Sequence, residues 1–146
     1  MREIICFHSP DEANGYLSNW YLSDFEMDDI KYSSMEQYMM YQKAILFHDA
    51  EIAQQILATS NVGKIKALGR SVRNYDELVW NGLRQIIVYK GLLEKFRQND
   101  TLKTKLLATK QSILAEFVGI FPDVCANRIG TRDLNIWTFG EGWFYE

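Results

Sequence analysis

The stretch Tyr32-Ser33-Ser34-Met35-Glu36-Gln37-Tyr38-Met39-Met40-Tyr41-Gln42-Lys43-Ala44-Ile45-Leu46-Phe47 decides how this chain is read. Ser33-Ser34-Met35-Glu36 has the S-x-x-E form of a capping box, which predicts a helix from Met35 to Phe47 or His48. At about 100° per residue, and with Glu36 at zero, Met40, Lys43 and Phe47 fall within about 40° of it. Met35, Met39 and Leu46 fall together at about 260–300° and form the core stripe, with Tyr38 and Ile45 at its far edge. Glu36 and Lys43 therefore border the core, where the wall of a cleft would lie. They stand two turns apart, about 10 Å along the axis, too far for a close in-helix ion pair. Each can reach one ligand lying across the helix. Glu36 as the last member of a capping box, with Lys43 as a solvated charge, is the competing reading.

Outward from this helix the chain carries clear punctuation. Upstream, Trp20, Leu22, Phe25 and Met27 suggest an outgoing strand, Asp28-Asp29 a turn, and Ile30 and Tyr32 a returning strand. Residues 9–19 are rich in turn formers and read as a loop, and Ile4 to His8 reads as a short buried strand. Downstream, Asp49 can cap a helix over Ala50–Ala58, and Asn61 one that ends near Gly69. Asn74-Tyr75-Asp76-Glu77 again resembles a capping box and would start the longest helix, Tyr75 to Phe96. Gly82 and Gly91 are its weak points, and Leu78 or Val79, Leu83, Ile86 or Ile87 and Leu93 its apolar stripe. A further helix covers Thr101–Leu107, and after Glu116 the pattern fades into short strands and loops. The expectation is a helix-dominated α+β single domain, residues 1–146, with a small N-terminal β-sheet.

Composition narrows the function. The chain has 146 residues, 47% hydrophobic and 24% charged, which suits one globular domain. Lys plus Arg is 16 against 19 Asp plus Glu, a net charge of −3, so a protein that coats DNA electrostatically is disfavoured. Two prolines and nine glycines argue against linker-rich or collagen-like chains. Phe, Trp and Tyr make up 14%, which means an aromatic core, a site that stacks on flat ligands, or both. The apolar run at the N-terminus is too short for a signal peptide, and no stretch is long enough to span a bilayer. Cys6 and Cys125 read as two reduced thiols, and with His8 and His48 they form no metal-ligand spacing. A cytoplasmic location, no metal, no cofactor and no membrane partner are expected.

The central stretch resembles the NADAR family, also called YbiA-like, whose members carry Tyr-x-Ser-x-Glu-Gln/His-Tyr-x-x-x-Gln-Lys. Leu17-Ser18-Asn19-Trp20 is similar to that family's Phe-Ser-Asn-Phe, and Ile65 to Val72 to its Lys-x-Leu-Gly-Arg-x-Val segment. Trp80-x-x-x-Arg84-x-x-Ile87-Val88, Lys95-Phe96-x-Gln98-Asn99 and Leu106-Leu107-Ala108-Thr109 follow in family order. The resemblance covers residues 6–116. Lys110 stands where the family has Gly, and 117–146 diverges, with Asp133 the nearest acidic residue to the remnant Ile136-Trp137-x-x-Gly140.

The resemblance implies an N-glycosidase that cleaves the bond between the ribose anomeric carbon and a base nitrogen. Its substrates would be ADP-ribosyl or phosphoribosyl compounds, such as ADP-ribosylated guanine, also within nucleic acid, or riboflavin-pathway intermediates. The transition state has oxocarbenium character, so a carboxylate stabilises charge or activates water. Glu36 takes that role, favoured in its ionised form by the first turn of a helix. Lys43 acts either as a cation on substrate oxygens or as a neutral amine that attacks the anomeric carbon. Substrate contacts are expected from Asn19, Trp20, Arg70, Trp80, Arg84 and Glu116. Arg70 and Arg84 suit phosphate, and Lys64, Lys66 and Arg73 add local positive charge. Trp80 can stack on Arg84 or on a base, or serve the core. The alternatives are a non-catalytic module that binds ADP-ribose or a nucleotide, and a helical interaction protein with no ligand.

Overall fold

The order along the chain is β1 (Ile4–Phe7), β2 (Leu22–Met27), β3 (Ile30–Ser34), α1 (Met35–Leu46), α2 (Ala50–Leu57), α3 (Val62–Arg70), α4 (Glu77–Arg97), α5 (Asp100–Ala108), β4 (Ile113–Phe117) and β5 (Leu134–Trp137). A short 3-10 turn spans Gly15–Leu17. This computed structural model describes residues 3–117 and 134–137. By their contacts the residues form two units, 1–18 with 104–146 and 19–103.

In the first unit, β1 lies parallel to β4, with Ile4 opposite Ile113, and β4 pairs antiparallel with β5. The expected N-terminal strand is present, but its partner comes from the other end of the described chain. Phe7, Leu114 and Ala115 are buried there. Cys6 is disulfide-bonded in this structure, which corrects the expectation of a reduced thiol at that position. Among the described residues, no helix is long and apolar enough to cross a membrane.

In the second unit, β2 and β3 form the expected hairpin. Asp28 and Asp29 take φ of 51° and 61°, the positive values that a two-residue hairpin turn demands. Phe25 stands opposite Tyr32, and both rings pack with Tyr38 at centroid distances of 5.9 and 5.3 Å. Tyr32 therefore belongs to the core, at 1% exposure. Gln98, past the end of α4, fastens the hairpin as a strand would. Its side chain accepts from the Glu26 N–H at 2.8 Å and donates to the Glu26 carbonyl at 2.7 Å.

α1 is the hub, packed against α2, α3, α4 and β3. Its first half is buried on every side, from Met35 to Met40, while Ile45 of the expected stripe is 44% exposed. α1 ends in a Schellman turn: His48 takes φ of 59° and donates to Ile45, and Asp49 donates to Ala44. That turn delivers Asp49 to cap α2, where its carboxylate accepts from the Ile52 N–H. Asn61 caps α3 through the Lys64 N–H.

α4 starts later than the Asn74–Glu77 box implies. Asn74 sits at φ of 59° outside the helix, and Asp76 is the cap. Its stripe also needs correction. The buried face is Trp80, Val88, Gly91, Leu92, Lys95 and Phe96, whereas Leu78, Val79, Leu83 and Ile86 are exposed. Gly91 lets α4 close on α1, since a Cβ there would overlap Tyr38 Cε1 and lie 2.5 Å from Cδ1.

Candidate active site

The capping arrangement at the head of α1 frees Glu36. The N-cap is Ser34, not Ser33, and its Oγ accepts from the Gln37 N–H at 3.1 Å. Gln37 returns the bond by accepting from the Ser33 N–H at 2.7 Å, and its amide donates to the Ile56 and Thr59 carbonyls. The box is thus Ser34 with Gln37, one residue later than the S-x-x-E pattern suggests. The Glu36 side chain has no part in it, yet it is only 3% exposed.

Around Glu36 the structure gathers charge. Its backbone N–H donates to the Asn19 carbonyl at 3.0 Å, and the Asn19 amide lies 3.4 Å from Met39 Sδ. Lys66, from α3, places Nζ 3.1 Å from Glu36 Oε1. Among the described residues, this ion pair is the polar contact that reaches the buried Oε1. A carboxylate oxygen accepts more than one hydrogen bond, and the lysine occupies only part of that capacity. Oε1 is the natural acceptor for a hydroxyl or water of a ligand.

Two turns along α1, Lys43 Nζ donates to the Gly69 carbonyl at 2.7 Å. The amine lies 4.4 Å from the Tyr75 ring centroid and 6.0 Å from that of Trp80. Burial pushes the Lys43 amine below its ordinary range, the Lys66 charge adds to this, and Glu36 pulls the other way. Gly69 makes the approach possible. A Cβ there would overlap Met40 Sδ and lie 2.7 Å from its Cγ, so α3 reaches α1 closely enough to offer its last carbonyls.

The other expected site residues separate. Asn19 is beside Glu36, and Trp20 follows it, 41% exposed, ahead of β2. Trp80 is buried, and among the described residues the cation near its ring is Lys43 rather than Arg84. Arg70 ends α3 and Arg84 lies one turn beyond Trp80, both exposed. Glu116 lies on β4 in the first unit, opposite Phe7 and Asn135. Of the surrounding basic group, Arg73 is spent on Asp49 and Lys66 on Glu36. Lys66, expected only as part of a local basic group, is the cation that meets Glu36, and Tyr75 emerges at the site though the sequence reading did not place it there. Lys66 had a signal, because it lies one turn before Gly69 and Arg70 in the same segment. Tyr75 had none. Among the described residues, no three His, Cys, Asp or Glu side chains gather as a metal site. Asp133 and the aromatic residues from position 138 onward lie outside the described residues.

The sequence matches the NADAR domain over residues 6–118. The chain belongs to the NADAR family. An N-glycosidase of Acanthamoeba polyphaga mimivirus is 38% identical over 122 residues, covering 78% of this chain and 72% of the relative. Protein irg-1 of Caenorhabditis elegans is 35% identical over 121 residues, 72% of this chain. This chain spans 57% of the length of irg-1 in that match. The N-glycosidase YbiA of Escherichia coli is 27% identical over 113 residues, covering 77% of this chain and 69% of the relative. The solution structure of E. coli YbiA superposes with a TM-score of 0.71, covering 81% of this chain and 69% of that one. The α+β fold of this NADAR chain is thus the YbiA-like one, and its homologues include named N-glycosidases.

Proposed function

We propose that this chain is a single-domain N-glycosidase of the NADAR type, hydrolysing the bond between the ribose anomeric carbon and a base nitrogen in ADP-ribosyl or phosphoribosyl compounds. The observation that carries the reading is Glu36: a buried carboxylate with no capping duty, ion-paired at Oε1 with Lys66 at 3.1 Å. That is the equipment an oxocarbenium-like transition state needs. Names among the relatives support the reaction class, and a riboflavin biosynthesis protein of Vibrio vulnificus, 29% identical over 116 residues, supports the substrate range.

Lys43 takes the role of amine nucleophile. Its burial and the neighbouring Lys66 charge favour the neutral amine. The nitrogen bonds to the anomeric carbon, the bond to the base breaks, and the base leaves with a proton. Ring opening gives an iminium, and water hydrolyses it and returns the amine. Glu36 stabilises the developing positive charge and then directs the water. Asn19, Trp20, Arg70, Trp80 and Arg84 complete the reading as substrate contacts, the arginines on phosphate.

The test is incubation with a guanine-ADP-ribosylated oligonucleotide and with phosphoribosylated pyrimidine intermediates, followed by mass analysis. Free base or free ribosyl product is expected, and borohydride should trap the sugar on Lys43. ADP-ribose bound without hydrolysis of any N-riboside would instead select a binding module.

A further inference from the structure

The segment between α3 and α4 is anchored and then reversed. Arg73 grips the buried Asp49 three times: its backbone N–H donates to Oδ2 at 2.9 Å, Nε to Oδ2 at 3.3 Å, and Nη2 to Oδ1 at 2.9 Å. The next residue, Asn74, turns the chain at φ of 59°. Tyr75 follows, and its ring meets Phe47 edge-on at 5.4 Å and lies over the Lys43 amine at 4.4 Å. Phe47 sits two residues before Asp49, so the same clamp fixes both rings. Tyr75 is nonetheless 45% exposed. A large ring kept half in water, by a clamp this complete, has little to gain from burial.

We infer that Tyr75 is a positioning residue for Lys43, its ring holding the amine against the Gly69 carbonyl and shielding it from water on that side. This rests on the reading of Lys43 as the reacting amine. The ring face attracts the charged amine and, more weakly, still covers the neutral one through an N–H to π contact. It therefore fixes where the nitrogen sits before a substrate arrives, which is the part of catalysis that geometry supplies. The hydroxyl has no part in this, since the contact is made by the ring face.

Two measurements test it, one without substrate. Reductive methylation with formaldehyde and a borohydride donor, read by peptide mass analysis, reports how open each lysine amine is. Lys43 should be labelled several-fold faster in Tyr75→Ala than in the native chain, and at the native rate in Tyr75→Phe. Fully buried Lys95 should stay protected in all of them. If Tyr75→Ala exposes Lys95, Tyr75→Leu takes its place under the same criteria. In turnover of the ADP-ribosylated oligonucleotide, Tyr75→Ala should lower kcat about tenfold with KM changed less than about twofold, and Tyr75→Phe should restore kcat. Unchanged Lys43 labelling in Tyr75→Ala overturns the inference, as does Tyr75→Phe behaving like Tyr75→Ala. Failure of the reading of Lys43 as the reacting amine would show separately, as Lys43→Ala with native turnover, and failure of the glycosidase reading as no turnover by the native chain; either leaves the labelling result standing.

Discussion

Two glycines on α4 should respond to the same substitution with opposite sign. Gly82 has nothing within 4 Å of where a Cβ would lie, so Gly82→Ala gains helix propensity alone, about 1 kcal/mol. At Gly91 the same Cβ would overlap Tyr38 Cε1, lie 2.5 Å from Cδ1 and lie 3.0 Å from Met35 Cε. The Tyr38 ring has nowhere to retreat. It packs on Phe25 and Tyr32, and its hydroxyl donates to the Ile87 carbonyl at 2.9 Å. Overpacking of a rigid ring costs about 2–3 kcal/mol, and after the propensity gain the net loss is about 1–2 kcal/mol. For a chain of this size, Gly82→Ala should then raise Tm by about 2–4 °C and Gly91→Ala lower it by about 2–8 °C. Urea unfolding followed by far-UV circular dichroism measures both, with m unchanged if the native fold is kept. Tyr38→Leu should relieve part of the Gly91→Ala loss, because it removes the obstacle. Equal shifts of the same sign at the two glycines would refute the reasoning, since then α1 and α4 do not meet as closely as the contact requires.

Glu36→Gln should reduce turnover at least about a hundredfold while urea stability stays near native, measured on the same preparation. Gly69→Ala should destabilise by about 1–2 kcal/mol, and Met40→Ala should recover part of it, read as a coupling in a double-mutant cycle. Asp49 is held well below the usual carboxylate range, first by the Arg73 hydrogen bonds. Its stabilisation is therefore fully present above the unfolded value of about 4 and is lost as pH falls below that. Asp49→Asn should flatten the acid limb of a stability–pH curve, and an unchanged limb would remove the clamp from the account.

Local chemistry made much of the fold legible. The turn at Asp28-Asp29 and the caps at Asp49 and Asn61 are short-range devices, and each works where its residues stand. The α4 stripe was not legible, because its inner face carries Gly91 and Lys95, which an apolar count passes over. Leu78 and Ile86 attract that count and sit in water. The pairing of Ile4 with Ile113 has no local signal at all. At the site, Glu36 and Lys43 were marked by helical spacing and by family motif. Lys66 was hidden among neighbouring lysines, since which cation meets the carboxylate depends on how α3 crosses α1. Tyr75 owes its place to a positive φ at Asn74, a property of backbone that the residue itself does not announce.

The one-residue offset at the head of α1 separates two kinds of loss. Gln37 ties the helix to Ser33, Ser34, Ile56 and Thr59, while the side chain of its neighbour Glu36 takes no part in the cap and pairs with Lys66. Architecture and chemistry are thus written in adjacent letters with no shared obligation. A change at position 37 should therefore cost the scaffold more than a change at position 36. If the proposed role of Glu36 holds, a lineage carrying this arrangement could give up cleavage by one substitution and keep the fold.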